Sequence, residues 1–302
     1  MFGTLVEISV YGASEAEARA ATAAVLARFD HLHRTLHAWQ PSELSRLNAV
    51  LATGARATVT PELATMLHDA QALAVQSHEL FNPAIGGLIA LWGFQADTPQ
   101  SRVPDAATIA GWVKRQPRMG DLHIENNQVW SSNPAVQLDL GGYAKGRALD
   151  DAVAILKQHG IQNALVNIGG NVIALGQHGD HPWRVGIQHP RQAGTLTTLD
   201  LRDGEAIGTS GDYQRYFEAD GRRYCHVIDP RSGWPASGMQ SVTVLVTGKQ
   251  AGTHSDALSK PLFISGTARL ADTAARLGVS DYLAVDANGK MHISAAMRGR
   301  LR

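Results

Sequence analysis

The run NALVNIGGNVIALG (163–176) constrains the fold of this chain more than any other stretch. Two short segments rich in β-branched and apolar residues meet at Gly169-Gly170, and a two-glycine break between strands reads as a tight hairpin turn. A hairpin makes its strands antiparallel neighbours, and further short strands with glycine breaks follow to about residue 228. Against these stand long helical patterns. SEAEARAATAAVLARFDHLHRTLHAW (14–39) opens with Ser14 as N-cap and Glu17 closing a capping box. TPELATMLHDAQALAVQSH (60–78) opens with Thr60 as cap and Pro61 at the first helical position. YAKGRALDDAVAILKQHG (143–160) and the region around AGTHSDALSKPLF (251–263) read as two more. The pattern predicts an α/β (α+β) protein, with antiparallel-rich sheets and flanking helices.

The chain has 302 residues, 44% apolar and 18% charged, with a formal net charge of zero. That length supports a sizeable core, as one large domain or two interlocked subdomains; the chain changes character from residue 121, but there is no internal repeat and no linker that separates independent domains. Balanced charge gives no reason to expect nucleic acid or an acidic membrane surface as partner. The single cysteine, Cys225, excludes an intrachain disulfide without fixing the compartment. No run of about 18 apolar residues occurs, so no membrane span is expected. The first residues, MFGTLVEISVYG, alternate like a strand and carry no signal peptide pattern; the protein is cytoplasmic or its leader has been removed.

Elsewhere, GTLVEISVYG (3–12) reads as a strand and FNPAIGGLIALWGF (81–94) as a loop punctuated by Gly and Pro. Residues 95–120 form a polar excursion with one short helix. Strands are expected at 121–124, 128–131 and 136–139, and again at QSVTVLVTG (240–248). ADTAARLG reads as helix and DYLAVDANGKMHIS as a closing hairpin.

Several stretches suit chemistry. LDLGGYAKGRALDDAV joins a strand ending at Asp139 to a helix through two glycines, where free N–H groups and Lys145 suit an anion such as pyrophosphate. The same junction serves equally as plain turn chemistry, and so does Gly169-Gly170. In IGTSGDYQRYFEADGRRYCHVIDPRSGWP, Thr209 and Ser210 precede Gly211 in a bend that resembles an anion cradle. Alternation there puts His226 and Ile228 on one face, with Asp229 at the strand exit, and makes His226 an acid/base candidate or a structural histidine. Trp39, Trp92 and Phe94 read alone as core aromatics. Asp256, with Ser255 and Ser259, forms an oxygen-only set suited to Mg²⁺ rather than zinc, or else it neutralises Lys260.

These pieces, in this order, resemble the ApbE-type FAD:protein FMN transferase family. The resemblance runs through FGT (2–4), SELSRLN (42–48), FNPAIGGLIALWGF (81–94), DLGGYAKGRALD (139–150), NIGGNVIALG (167–176), TSGDYQRYF (209–217), HVIDPRSGWP (226–235) and SDALSKPLF (255–263). It implies one flavin-transferase domain over 1–302. It also implies FAD and Mg²⁺ as cofactors, and transfer of FMN onto a Ser or Thr of a redox protein, commonly a membrane-complex subunit, with release of AMP. Periplasmic residence is the family's usual location. Position by position, it implies that Phe2 and Trp39 flank a ring of FAD and that Trp92, Gly93 and Phe94 form another wall. Asp139 and Lys145 would bind polar parts of FAD; Ser210, Gly211 and Ile228 would line the pocket. His226 would take the hydroxyl proton, and Gly142 (through its carbonyl), Asp256 and Ser259 would hold the metal.

The resemblance breaks at one position. Where the family carries a metal-binding Thr four residues after the Asp, this chain has Lys260 followed by Pro261. A protonated lysine has no lone pair to give a metal, and at i,i+4 it reaches Asp256. At about 4 Å it would oppose a divalent ion by several kcal/mol even at an effective dielectric near 20. Three outcomes stay open: flavin transfer by a site that accommodates Lys260, FAD binding with weak or lost cleavage as a flavin donor or assembly factor, or FAD hydrolysis to FMN and AMP. A helix beginning near 257 would put Pro261 in its tolerated first turn.

Overall fold

The computed structural model describes residues 3–96 and 102–302. Among the described residues, seven strands form the central sheet, and each lies beside its neighbour in chain order: β1 Val6–Tyr11, β2 Asn163–Ile168, β3 Asn171–Leu175, β4 Glu205–Gly211, β5 Met239–Thr247, β6 Asp281–Asp286 and β7 Met291–Ile293. Every adjacent pair is antiparallel. The β2–β3 hairpin is the one that the glycine pair predicts. Ile168 faces Asn171 across it, and Gly169 and Gly170 take φ values of 57° and 90°, the positive-φ pair a type I′ turn needs.

One face of the sheet is covered by helices. The α1 helix (Glu15–Thr35) starts with the Ser14/Glu17 capping box, and α3 (Pro61–Gln76) starts with the Thr60 cap. With α6 (Gly141–Gln158) and α7 (Ala251–Arg276, kinked at Gly266, where φ is 64° and ψ 178°) they bury Phe29, Leu67, Leu149 and Phe263 against Val166, Ile168, Val242 and Val244 of the sheet. The opposite face packs Val172, Ile207, Leu245 and Leu283 under a two-stranded ribbon, Trp183–Gln188 with Thr195–Leu201. Both faces are apolar because both are covered.

Three local expectations change. Residues 43–51 form α2 (Glu43–Leu51), capped by Ser42, and the Gly/Pro-punctuated loop contains a short helix, α4 (Gly86–Leu91). The expected strand at 136–139 reduces to one parallel bridge, Ile85 with Gln137, because its neighbour there is loop rather than strand. The one helix expected in 95–120 is α5 (Ala106–Arg115). The largest correction concerns α7, which begins at Ala251 and not near 257, so Pro261 lies well inside it. Its first turn is capped from a distance: Asp150 of α6 accepts from the N–H groups of Gly252 and Thr253, both at 2.8 Å, and from the Thr253 hydroxyl at 2.6 Å.

That cap belongs to a very close helix crossing. A Cβ added at Gly146 would lie 2.3 Å from the Gly252 carbonyl and 2.7 Å from Asp256 Cβ. On the other side of α7, a Cβ at Gly208 of β4 would lie 2.2 Å from the Ser255 carbonyl. Glycine on both neighbours lets α7 sink between α6 and the sheet, and this depth brings Asp256 to the functional groups of α6.

Candidate active site

A cleft of about 1040 Å³ opens where the α6 N-terminus, α7, β4 and the β2–β3 turn converge. Its volume is at the upper end of the range for small-molecule sites, with room for a dinucleotide. Trp39 stands at one side, 39% exposed, edge-on to His37 at 4.5 Å and with the Arg215 guanidinium 5.9 Å from its ring centre. Phe94 and Ile228 line the apolar side, and Phe94 packs on Phe217 at 5.9 Å. Trp92 does not line the cleft. It is fully buried behind Phe94, stacked on Tyr224 at 5.4 Å with its indole N–H donating to the Gly233 carbonyl at 2.8 Å. This location corrects the expectation that Trp92 and Gly93 form a cleft wall: Gly93 turns the chain at φ 74°, and the aromatic that emerges from the turn is Phe94.

The polar end is built from α6 and α7. Asp139 lies before α6 and turns its Oδ1 back to accept from the Gly141 N–H at 2.9 Å, while Oδ2 accepts from Gln95 at 2.8 Å. The first N–H of the helix is therefore already engaged, and most of the attraction for an anion falls on Lys145, Lys260 and Arg215. Ser210 lines the cleft from β4, its hydroxyl 2.8 Å from that of Ser259. Gly211 sits at the end of β4 beneath Tyr213 rather than at the cleft surface; an added Cβ would lie 2.4 Å from that ring. Phe2 lies outside the described residues.

Asp256 is 1% exposed, and both its oxygens are engaged. Oδ2 accepts from the Gly146 N–H at 3.0 Å; Oδ1 accepts from the Lys260 ammonium at 2.7 Å and lies 3.8 Å from that of Lys145. Lys260 also donates to the Asp256 backbone carbonyl at 2.7 Å. Burial alone would raise the Asp256 pKa, but the charges of Lys145 and Lys260 outweigh it and hold the carboxyl below its usual range. Burial pushes the Lys260 ammonium down, Asp256 opposes that shift and Lys145 adds to it.

Mg²⁺ does not fit this donor set. An ammonium already sits 2.7 Å from the Asp256 Oδ1 where a cation would bind, a second lies 3.8 Å from the same oxygen, and Oδ2 accepts from the Gly146 N–H. The Lys260 stem covers Gly142, where an added Cβ would lie 2.6 Å from Lys260 Cε. Of the two roles that Asp256 can take, this arrangement fits the neutralisation of lysine.

His226 lies just past the strand Arg222–Cys225 and lines the cleft together with Ile228. Its Nδ1 is 3.2 Å from the Arg215 carbonyl; a proton on Nδ1 satisfies that acceptor and leaves the Nε2 lone pair free. Burial, followed by the charge of Lys145, pushes its pKa down to about 3. The imidazole is therefore neutral at physiological pH.

Several cleft residues escape sequence reasoning. Arg215, Tyr213 and Gln214 come from the segment after β4, and Gln214 holds the Gly169 carbonyl at 3.3 Å. Gly169 and Gly170 line the cleft as well as forming the turn. The available signal was TSGDYQRYF itself, whose polar residues have no periodicity that predicts which of them face a ligand.

The ApbE family model matches residues 2–283. An FAD:protein FMN transferase of Rhodobacter capsulatus is 45% identical over 301 residues, which cover 100% of this chain and 57% of that protein. This chain therefore spans little more than half the length of that relative. Proteins of the same description from Klebsiella pneumoniae and Treponema pallidum are 31% and 32% identical, with 94% and 100% of this chain and 82% and 87% of theirs covered. Among solved structures, the ApbE protein of Thermotoga maritima superposes with a TM-score of 0.90 at 29% identity, covering 100% of this chain and 97% of its own. The flavinyl transferase ApbE of Pseudomonas stutzeri, apo form, gives 0.82 at 28% identity, with 98% and 97% covered.

Proposed function

The chain belongs to the ApbE family, and we propose that it is an FAD:protein FMN transferase that moves FMN from FAD onto a Ser or Thr hydroxyl of a redox protein. The observation that carries this reading is the convergence of His226, Lys145 and Lys260 on the floor of one dinucleotide-sized cleft. FAD lies with a ring against Trp39 or Phe94 and its pyrophosphate toward the lysines. The acceptor hydroxyl oxygen attacks the phosphorus on the FMN side, a new phosphoester bond forms, and the P–O bond to AMP breaks. AMP leaves with that electron pair, and the hydroxyl proton passes to His226 Nε2 and on to solvent. Burial is the main reason the imidazole is neutral; pyrophosphate charge beside Lys145 and Lys260 offsets the smaller part that their charges add, and so makes His226 a better proton acceptor.

The Lys260–Asp256 pair favours a second reading, in which FAD is bound intact and cleavage is weak. Incubation with FAD and a threonine-containing acceptor peptide decides between them. Transfer gives AMP and a peptide heavier by one FMN phosphoester. FAD that stays on the protein through gel filtration with no AMP would overturn the transferase reading, and AMP with an unmodified peptide would reduce it to FAD hydrolysis.

A further inference from the structure

Two lysines from different helices meet on one buried carboxylate at the polar end of the cleft, and both line the cleft. Two ammonium charges against one carboxylate leave one net positive charge facing any ligand. Asp256 is itself pinned by the Gly146 N–H, so it acts as a fixed post that orients both cations. Lys260 is further confined because its stem lies on Gly142, where no Cβ pushes it away. This is a preorganised cation pair at the place where the donor set for Mg²⁺ fails.

We propose that Lys145 and Lys260 together grip the FAD pyrophosphate in place of a divalent cation, so that this chain binds and cleaves FAD without metal. The inference rests on the FAD reading given above. Ammonium groups donate charge-assisted hydrogen bonds to phosphate oxygens and stabilise charge that builds on the departing phosphate, as a metal ion would. Neither lysine gives up a proton in the step. AMP leaves as the phosphate anion, and its added charge is met by the pair.

The unmodified protein supplies the first test, through quenching of flavin fluorescence by titration with FAD in EDTA and in excess Mg²⁺. The expected dissociation constants agree within about twofold, and Mn²⁺ added to the FAD complex gives the electron paramagnetic resonance spectrum of Mn²⁺ with FAD alone. Tightening by about tenfold or more with Mg²⁺, or a distinct protein-bound Mn²⁺ spectrum, would overturn the proposal. Lys260→Thr is expected to weaken FAD binding in EDTA by about tenfold to a hundredfold, the scale of one charge-assisted hydrogen bond. Mg²⁺ should then recover part of the loss. Lys145→Met, whose stem remains, should weaken binding by a similar factor; FAD affinity unchanged in both variants would also refute the pairing. Unaltered circular dichroism confirms that either variant is folded. The two readings fail separately. No FAD binding under any condition removes the function and the inference together, and metal-independent binding without AMP removes the cleavage in both. AMP release that appears only with Mg²⁺ and is absent in EDTA removes the inference and leaves the transferase.

Discussion

Substitution of Gly146 by Ala tests the helix crossing on which the site depends. The residue has ordinary helical backbone, so Ala by itself would favour the helix by up to about 1 kcal/mol. The surroundings reverse that sign. The new Cβ would sit 2.3 Å from the Gly252 carbonyl oxygen, 2.7 Å from Asp256 Cβ and 2.7 Å from Thr253 Cα, and two of those atoms are backbone that cannot swing aside. Restoring ordinary contact requires α6 and α7 to part by about 1 Å, at an overpacking cost of about 1–3 kcal/mol. The same movement stretches the 3.0 Å hydrogen bond from Gly146 N–H to the Asp256 carboxylate, a charge-assisted bond on the scale of about 1.5–3 kcal/mol. The net expectation is destabilisation by about 2–5 kcal/mol. For 302 residues the unfolding entropy corresponds to about 1.6 °C per kcal/mol, so Tm should fall by about 3–8 °C in differential scanning calorimetry. Gly111→Ala is the control: it lies inside α5 with nothing within 4 Å of the new Cβ, and it should raise Tm by about 1 °C. An unchanged or higher Tm for Gly146→Ala would refute the close crossing and the positioning of Asp256 derived from it.

Other consequences are open to measurement. Trp92→Phe should lower Tm, through loss of the indole bond to Gly233, while FAD affinity stays within about twofold; Trp39→Ala should do the reverse, weakening FAD binding with little change in Tm. Asp150→Ala removes the cap from α7 and should destabilise by about 1–2 kcal/mol or more, read in urea unfolding, with Asp150→Asn falling between it and the native protein. His226 should show no imidazole titration above about pH 4 by ¹⁵N NMR. Since the unfolded chain takes up that proton near 6.5 and the folded one near 3, stability should fall as the pH drops through this window. His226→Gln should lessen the loss between pH 6.5 and 4.5, and an equal loss in both proteins would refute the buried neutral imidazole.

The sequence alone dictates the antiparallel hairpin at Gly169-Gly170, the Ser14 and Thr60 helix starts and the mixed α/β class. Each rests on an interaction within a few residues: a positive φ that only glycine adopts freely, or a side chain capping its own helix. It also brought His226, Lys145 and Asp256 to notice, through order and residue type. Tertiary structure decided what local pattern could not reach. The start of α7 is set by Asp150, a hundred positions earlier, so the chain around 251 shows no cap of its own. Trp92 and Phe94 are two residues apart and equally apolar, and only the packing of Tyr224 and Phe217 assigns one to the core and the other to the cleft. The role of Asp256 was open for the same reason. Its i,i+4 lysine was visible in the sequence, but the second ammonium and the Gly146 N–H come from another helix. Their convergence depends on Gly146 and Gly208, which let α7 sink between α6 and the sheet.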